Sequence, residues 1–190
     1  MFNSGKYKQQ FEYRSFMPSF INTQFTWNDE RINVLLEEAN RFIGVLNAFS
    51  YFIPYVHFFI KMHVVNDATS SSRIEGTRTE IDDVLRAEEE IPQENRDDWL
   101  EVHAYIDAMN NAIYELEQLP LSMRLIKNTH KILLNNVRGE HRQPGEVRRS
   151  QNWIGGSSLK DAFFIPPHFE DLPDLLSDFE KFIHNESLAI

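Results

Sequence analysis

The chain has 190 residues, 42% of them hydrophobic and 13% aromatic, and its 19 basic and 29 acidic residues give a formal net charge of −10. This acidity argues against a general binder of nucleic acid or anionic membranes, and the absence of cysteine excludes disulfides and a thiol nucleophile in this chain. No apolar run reaches the roughly 18 residues of a membrane helix and no signal peptide is evident, so we expect a cytoplasmic protein. Sparse glycine and proline indicate a mainly α fold, a helical bundle.

The first two predicted elements follow an irregular N-terminal stretch. We expect residues 1–26 to lack regular structure, with aromatic side chains that cover a helical core. A helix is predicted over residues 29–49, because acids follow Asn28 and apolar residues then recur at spacings of three and four. Those apolar residues are Leu35, Ala39, Phe42, Ile43, Leu46 and Phe49. A second helix is predicted from near Pro54 to Glu75.

The end of the second predicted helix holds the first candidate site. Gly76 stands where a helix C-terminal cap needs a left-handed residue, and Ser71 and Glu75 are then one turn apart on one face. A carboxylate at this end costs up to about 1 kcal/mol in the field of the helix dipole, so a cation is expected nearby. Arg73, Arg78 or a more distant arginine are candidates. By itself this pattern also fits a solvated helix end whose glutamate has no dedicated role.

The middle of the chain is predicted to be helical with one polar connection. Thr77 and Glu80 have the spacing of a capping box, which predicts a short helix over residues 80–89. The charged stretch over residues 88–98 predicts a boundary, so we divide the chain into domains 1–95 and 96–190. Further helices are predicted over residues 97–116, 122–135 and 170–184.

Between the last two helices the composition changes, and a short β-hairpin is predicted. The segment that starts at Val137 is rich in glycine, proline, serine and arginine. The sequences NWIGG and DAFFIPP flank a glycine-led turn, which is typical of two short strands that end at a pair of prolines.

No self-contained active site is evident in the sequence. The seven histidines are scattered without the spacing of a zinc protease, and we interpret His130 as a packing residue. The glycine pair at 155–156 opens a hairpin rather than a helix, so it does not form a phosphate-binding loop. We therefore assign no catalytic residue and no metal ligand to this chain.

Several segments, taken together, resemble the Fic family of AMP transferases. SSSRIEGT resembles the inhibitory motif of the subgroup whose inhibitory helix precedes the catalytic domain. PGEVRRSQNWIGG followed by FFIPP resembles the family's flap hairpin, and LPLSMRLIKNTHKILLNNVRG resembles a helix of the Fic domain. The similarity spans roughly residues 13–185 in the family's order. One departure is Ala104, which stands before Tyr105 where many members have asparagine.

The resemblance implies a function for the full-length protein. It would transfer AMP from ATP, with Mg²⁺, to a Ser, Thr or Tyr hydroxyl of a protein. The resemblance assigns Ser71, Glu75 and Gly76 as inhibitory residues, with Glu75 pairing with an arginine of the signature HPFxxGNGRxxR. It also assigns a flap that docks the target: Trp153, Ile154, Gly155, Gly156, Phe163, Phe164 and Ile165.

The signature itself is absent, and we expect it beyond Ile190, so this chain alone is expected to be inactive. The alternative is a noncatalytic helical module that binds a partner and supplies Glu75 to another Fic domain. The sequence identifies no target protein, leaves a homodimer open, and does not decide whether AMP or another group is transferred.

Overall fold

The computed structural model describes residues 3–135, 137 and 143–188. These residues belong to two compact units: Met1–Asn28 with Glu146–Ile190, and Asp29–Gly145. The predicted boundary near residue 95 falls inside the second unit. The segment that resembles the Fic-domain helix reaches positions 136 and 138–139, which lie outside the described residues.

The first unit contains an N-terminal hairpin and the last helix. Strands β1, Gly5–Gln9, and β2, Arg14–Pro18, pair antiparallel, with Tyr7 opposite Phe16. The prediction that residues 1–26 are irregular is therefore wrong for these strands. Each strand has only five residues, and β2 (RSFMP) shows no alternation of polar and apolar residues, so the strand signal is weak beside the helical patterns. The Phe11 side chain is 99% exposed at the turn and does not cover a core.

The last helix of the first unit, α6, runs over Leu172–Ile183 and holds the N-terminal segment. The Asp178 carboxylate accepts hydrogen bonds from the backbone N–H groups of Ile21, at 2.6 Å, and Asn22, at 3.3 Å. Just before α6, Asp171 forms a 2.7 Å ion pair with Lys8 of β1. These contacts join the two ends of the chain within one unit.

The second unit is helical in its described part. Its helices are α1 over Glu30–Ser50, α2 over Val56–Ile74, α3 over Ile81–Val84, α4 over Arg96–Glu115 and α5 over Met123–Leu133. The central helix α4 packs against α2, α3 and α5. Ala68, Val84 and Val102 form the buried centre, and Val65, Tyr105 and Ile106 pack around it. The mainly α fold class is confirmed, but the two-stranded hairpin of the described residues is β1–β2 at the N-terminus and not the segment predicted after Val137.

The short helix α3 differs from its prediction over residues 80–89. It has four residues, and Thr77 does not cap it, because no side-chain hydrogen bond is present at its N-terminus. The Thr77 N–H instead donates to Ser72 O, at 3.1 Å, as part of the cap of α2. Because this N–H is already bonded, it is not available to donate to the Glu80 side chain as a capping box requires, and α3 begins only at Ile81, so the predicted capping box is wrong.

Helix α3 is held on α4 by two aromatic side chains. Trp99 Nε1 donates to Asp83 O at 3.0 Å, and His103 Nε2 lies 3.1 Å from Val84 O. The two rings stack with centroids 3.7 Å apart. The segment that follows Gly76 therefore has a fixed path along α4.

Helix α1 has the predicted bounds but a different environment from that expected of an amphipathic helix. Asp29 caps it by accepting from Arg31 N–H at 3.1 Å, and none of its residues is buried. Its apolar residues remain exposed: Val34, Leu35, Phe42, Ile43, Val45, Leu46 and Phe49. No described helix is both long and apolar enough to cross a membrane.

Candidate functional site

The end of α2 forms a complete Schellman cap around Glu75. Glu75 is the C-cap residue and Gly76 follows with a φ of 105°, in the region that favours glycine. The Gly76 N–H donates to Arg73 O at 3.1 Å, and the Thr77 N–H donates to Ser72 O at the same distance. These two bonds are those of the Schellman motif, so the prediction of a glycine-terminated helix here is confirmed. The cap fixes where the backbone of Glu75 lies.

The Glu75 carboxylate has no ion-pair partner among the described residues. Arg73, one of the predicted local cations, pairs instead with Glu80 at 3.3 Å. The backbone N–H of Arg78 donates to the Asp98 carboxylate at 2.9 Å. Glu75 therefore remains an exposed negative charge at the negative end of a helix dipole, where a cation would be bound favourably.

Glu75 lines a cleft in the second unit of about 320 Å³. Ser71, Ser72 and Glu75 contribute from α2, and Glu101 and Tyr105 contribute from α4. The remaining lining is apolar: Leu133, Leu134 and Val137. The sequence analysis identified neither Glu101 nor Tyr105 as a site residue. Their spacing of four on α4 matches the spacing of Ser71 and Glu75 on α2, and this matched pattern is a signal that could have identified them.

Tyr105 connects α4 to the last turns of α2. Its phenol donates a 2.7 Å hydrogen bond to Asp67 Oδ2. This bond holds the phenol proton and raises the pKa of Tyr105, and burial acts in the same direction, while the nearby Ser71 hydroxyl opposes both. Asp67, Ser71 and Glu75 are four residues apart in turn, so they lie along one side of α2. Tyr105 is bonded to the first of them and lines the cleft together with the other two.

The segment predicted to be the flap hairpin lies in the first unit, but its two predicted strands are reduced to one β-bridge that closes a loop. Ile154 and Phe164 pair antiparallel, with the Ile154 N–H 2.8 Å from Phe164 O and the Phe164 N–H 3.1 Å from Ile154 O. Gly155 and Gly156 follow with φ of 70° and 73°. A Cβ on Gly156 would lie 2.4 Å from Asp161 O, so only glycine fits there without a shift.

The turn of this loop is held by one carboxylate. Asp161 accepts from the backbone N–H groups of Ser157, at 2.9 Å, and Ser158, at 2.7 Å, and also from both hydroxyls. The Ser157 N–H, followed by the two hydroxyls, lowers the pKa of Asp161 well below its usual range. The sequence analysis predicted the glycine-led turn but not this carboxylate.

The base of the loop is tied to the N-terminal hairpin of the same unit. The Phe16 N–H of β2 donates to Ile165 O at 2.8 Å, and the Phe16 and Phe164 rings lie 6.0 Å apart. Gln151 accepts from the Tyr13 hydroxyl at 3.4 Å and donates to Pro166 O at 3.1 Å. The outgoing segment of the loop thus lies between β2 and the incoming segment.

The incoming segment has the exposed edge. Among the described residues, the N–H and C=O of Trp153 have no backbone partner. Trp153 is 41% exposed, Ile154 61% and Phe163 91%, whereas Ile165 is buried. An edge with unpaired main-chain groups and exposed apolar side chains can accept an extended peptide as a further strand.

The remaining candidates supply no chemistry of their own. His130 is exposed, and its Nδ1 accepts from the Gly145 N–H at 2.9 Å, so it positions a loop rather than packing in the core. In the part of the chain that the structure describes, no three His, Asp or Glu side chains are grouped so as to hold a metal ion.

A match to a known protein family lies within the second unit. Residues 33–114 match the family model described as Fic/DOC family N-terminal, and this match supports membership of the Fic family. The matched range includes Glu75, Glu101 and Tyr105, but not the flap loop. No curated protein matches the chain.

Proposed function

We propose that this chain is the N-terminal part of a self-inhibited Fic protein that, at full length, transfers AMP from ATP to a protein hydroxyl. The observation that carries the proposal is Glu75, whose backbone is fixed by a complete helix cap and whose carboxylate is exposed and has no ion-pair partner among the described residues. The family match over the same segment supports it.

The chemistry expected of such a protein needs residues beyond those described. In AMP transfer a hydroxyl oxygen attacks the α-phosphorus of ATP, its proton passes to a base, and the bond to the β-phosphate oxygen breaks to release pyrophosphate. The resemblance assigns the base, the Mg²⁺ ligand and the phosphate-binding arginine to the HPFxxGNGRxxR signature. We therefore assign no step of the reaction to the described residues.

The role proposed for Glu75 is electrostatic. An arginine that pairs with Glu75 is no longer free to orient the terminal phosphate of ATP, and nucleotide then binds in an unproductive position. A helix C-terminus with an unpaired carboxylate suits this role, because a guanidinium is attracted by both the carboxylate and the helix dipole.

The role proposed for the flap loop is docking of the target. The exposed edge at Trp153 offers main-chain donors and acceptors to an extended segment, and main-chain pairing does not demand a particular sequence. Ile154 and Phe163 add apolar contacts on the two segments of the loop.

The test is AMP transfer by the full-length protein with ATP labelled either at the α- or at the γ-phosphate. We expect α-label, and no γ-label, on protein, and we expect Glu75→Gly to raise labelling at least about tenfold by removing a charge-assisted pair. Glu89→Gln, at another exposed acid, is the control and should match the parent. Incorporation of γ-label alone, or equal labelling by the parent and Glu75→Gly, would contradict the proposal.

The exposed apolar face of α1 favours the second candidate, a noncatalytic module that binds a partner. Such a module would act in trans. Added to a Fic domain without an inhibitory glutamate, the chain should then reduce AMP transfer, and its Glu75→Gly variant should not. The absence of any effect in this assay would reject the module.

A further inference from the structure

We propose that Tyr105 is a positioning residue that holds the inhibitory end of α2 on α4 and so sets the direction of Glu75. The inference rests on the proposed function, in which Glu75 blocks an arginine. Neither Tyr105 nor Asp67 belongs to the inhibitory motif, and their role follows from the contacts between the two helices.

Tyr105 lies between the buried core of the second unit and the cleft that Glu75 lines. Its ring packs against the buried cluster of Ala68, Val84 and Val102, so the ring cannot move freely. Its hydroxyl donates to Asp67 Oδ2 at 2.7 Å, and Ser71 lines the same cleft as Tyr105. A residue of α4 that packs on the core is therefore bonded to α2 two turns before Glu75.

The helical geometry of α2 links the bonded residue to Glu75. Asp67, Ser71 and Glu75 are spaced by four residues and share one side of the helix. The bond at Asp67 restricts rotation of the helix about its axis, so the two later positions on the same side are restricted with it. The Glu75 N–H, 3.4 Å from Ser71 O, joins the last turn to the preceding one.

The chain that follows Glu75 is also held on α4, by contacts of its own. The Arg78 N–H is bonded to the Asp98 carboxylate, and Trp99 and His103 hold α3. Tyr105 and these contacts are all on α4, so this one helix positions the cap from both directions. Loss of the Tyr105 hydroxyl removes the contact that holds the turns of α2 before Glu75.

The experiment compares Tyr105→Phe with the parent in the full-length protein. This change keeps the ring in the core and removes only the hydroxyl, and Tyr114→Phe, at an exposed tyrosine of the same helix, is the matched control. We expect Tyr105→Phe to raise AMP transfer about two- to fivefold, less than Glu75→Gly, since an exposed neutral donor contributes modestly. Tyr114→Phe should match the parent.

A double variant separates positioning from general loosening. In the Glu75→Gly background, Tyr105→Phe should add nothing, because the group that it positions is gone. A further increase in the double variant, or no increase in the single variant while Glu75→Gly is active, would overturn the proposal. Asp67→Ala should reproduce Tyr105→Phe, whereas Asp67→Asn keeps an acceptor oxygen and should retain most of the inhibition.

A second measurement is independent of activity and so of the proposed function. Amide hydrogen exchange at Glu75, Gly76 and Thr77 should be faster in Tyr105→Phe than in Tyr114→Phe, with the same melting temperature in both. Unchanged exchange at these three amides would overturn the proposal even if Glu75→Gly proved active. If Glu75→Gly is inactive but exchange rises, the contact is real and the proposed function is wrong.

Discussion

The end of α2 and the flap loop are fixed in different ways. The end of α2 is held by contacts with α4 that lie far apart in sequence, such as Tyr105 with Asp67 and Asp98 with Arg78. The turn of the flap loop is held by local bonds, since Asp161 contacts Ser157 and Ser158. This difference agrees with the proposed roles: a charge that pairs with one particular arginine needs a rigid support, whereas an edge that accepts an extended peptide needs only a stable turn.

The largest effect that separates the two regions is expected from Ile154→Asp. The side chain is 61% exposed, so folding should tolerate the change, but a charge on the docking edge should lower kcat/KM for a protein target about tenfold or more. Binding of ATP and the activation caused by Glu75→Gly should be unchanged. Equal losses in target docking and ATP binding would contradict the separate role of the flap.

A separate effect, on local stability rather than on target docking, is expected from substituting alanine for Gly156 and for Gly76. Gly156→Ala brings a Cβ to 2.4 Å from Asp161 O at a φ of 73°, so it should destabilise the closed turn by about 2 kcal/mol or more. Gly76→Ala meets no atom within 4 Å, and only its φ of 105° is unfavourable, which costs about 1 kcal/mol.

Amide hydrogen exchange would measure the local stability around the substituted glycine in each variant. Exchange should rise strongly over residues 154–164 in Gly156→Ala and weakly at residues 75–77 in Gly76→Ala. The opposite order would show that the flap turn is not defined by its local geometry.

The smallest effect is a pH dependence confined to the flap turn. The hydrogen bonds of Asp161 depress its folded pKa, so their contribution is present above the ordinary aspartate value of about 3.9 and is lost as pH falls through the lower, folded value. The Ser157 and Ser158 amide resonances should therefore shift well below pH 3.9, and Asp161→Asn should abolish that transition. A transition near pH 4 would contradict the assigned bonds.

Local patterns allowed much of this fold to be predicted. The helices α1, α2, α4, α5 and α6 lie within about two residues of their predicted bounds because each has a strong apolar period and clear end signals. Gly76 was predictable because a left-handed helix end selects glycine. The pairing of Ile154 with Phe164 was predictable from the glycine-led turn between two apolar segments.

The remaining features depend on contacts between distant residues. Nothing local to Tyr105 indicates that its hydroxyl meets Asp67, 38 positions away. The strands β1 and β2 have five residues each, too few for a clear alternation, and β2 is also supported by Ile165. Thr77 failed as a cap because its N–H completes the preceding helix. The roles of Glu75 and of the flap stay predictions.

The central claim is that Glu75 suppresses AMP transfer, and the intact mass of the full-length protein after incubation with ATP and Mg²⁺ tests it most directly. We predict that the Glu75→Gly protein gains the mass of at least one AMP group while the parent remains unmodified under the same conditions. If both proteins remain unmodified, with and without added protein targets, or if both gain AMP equally, Glu75 is not the inhibitory residue.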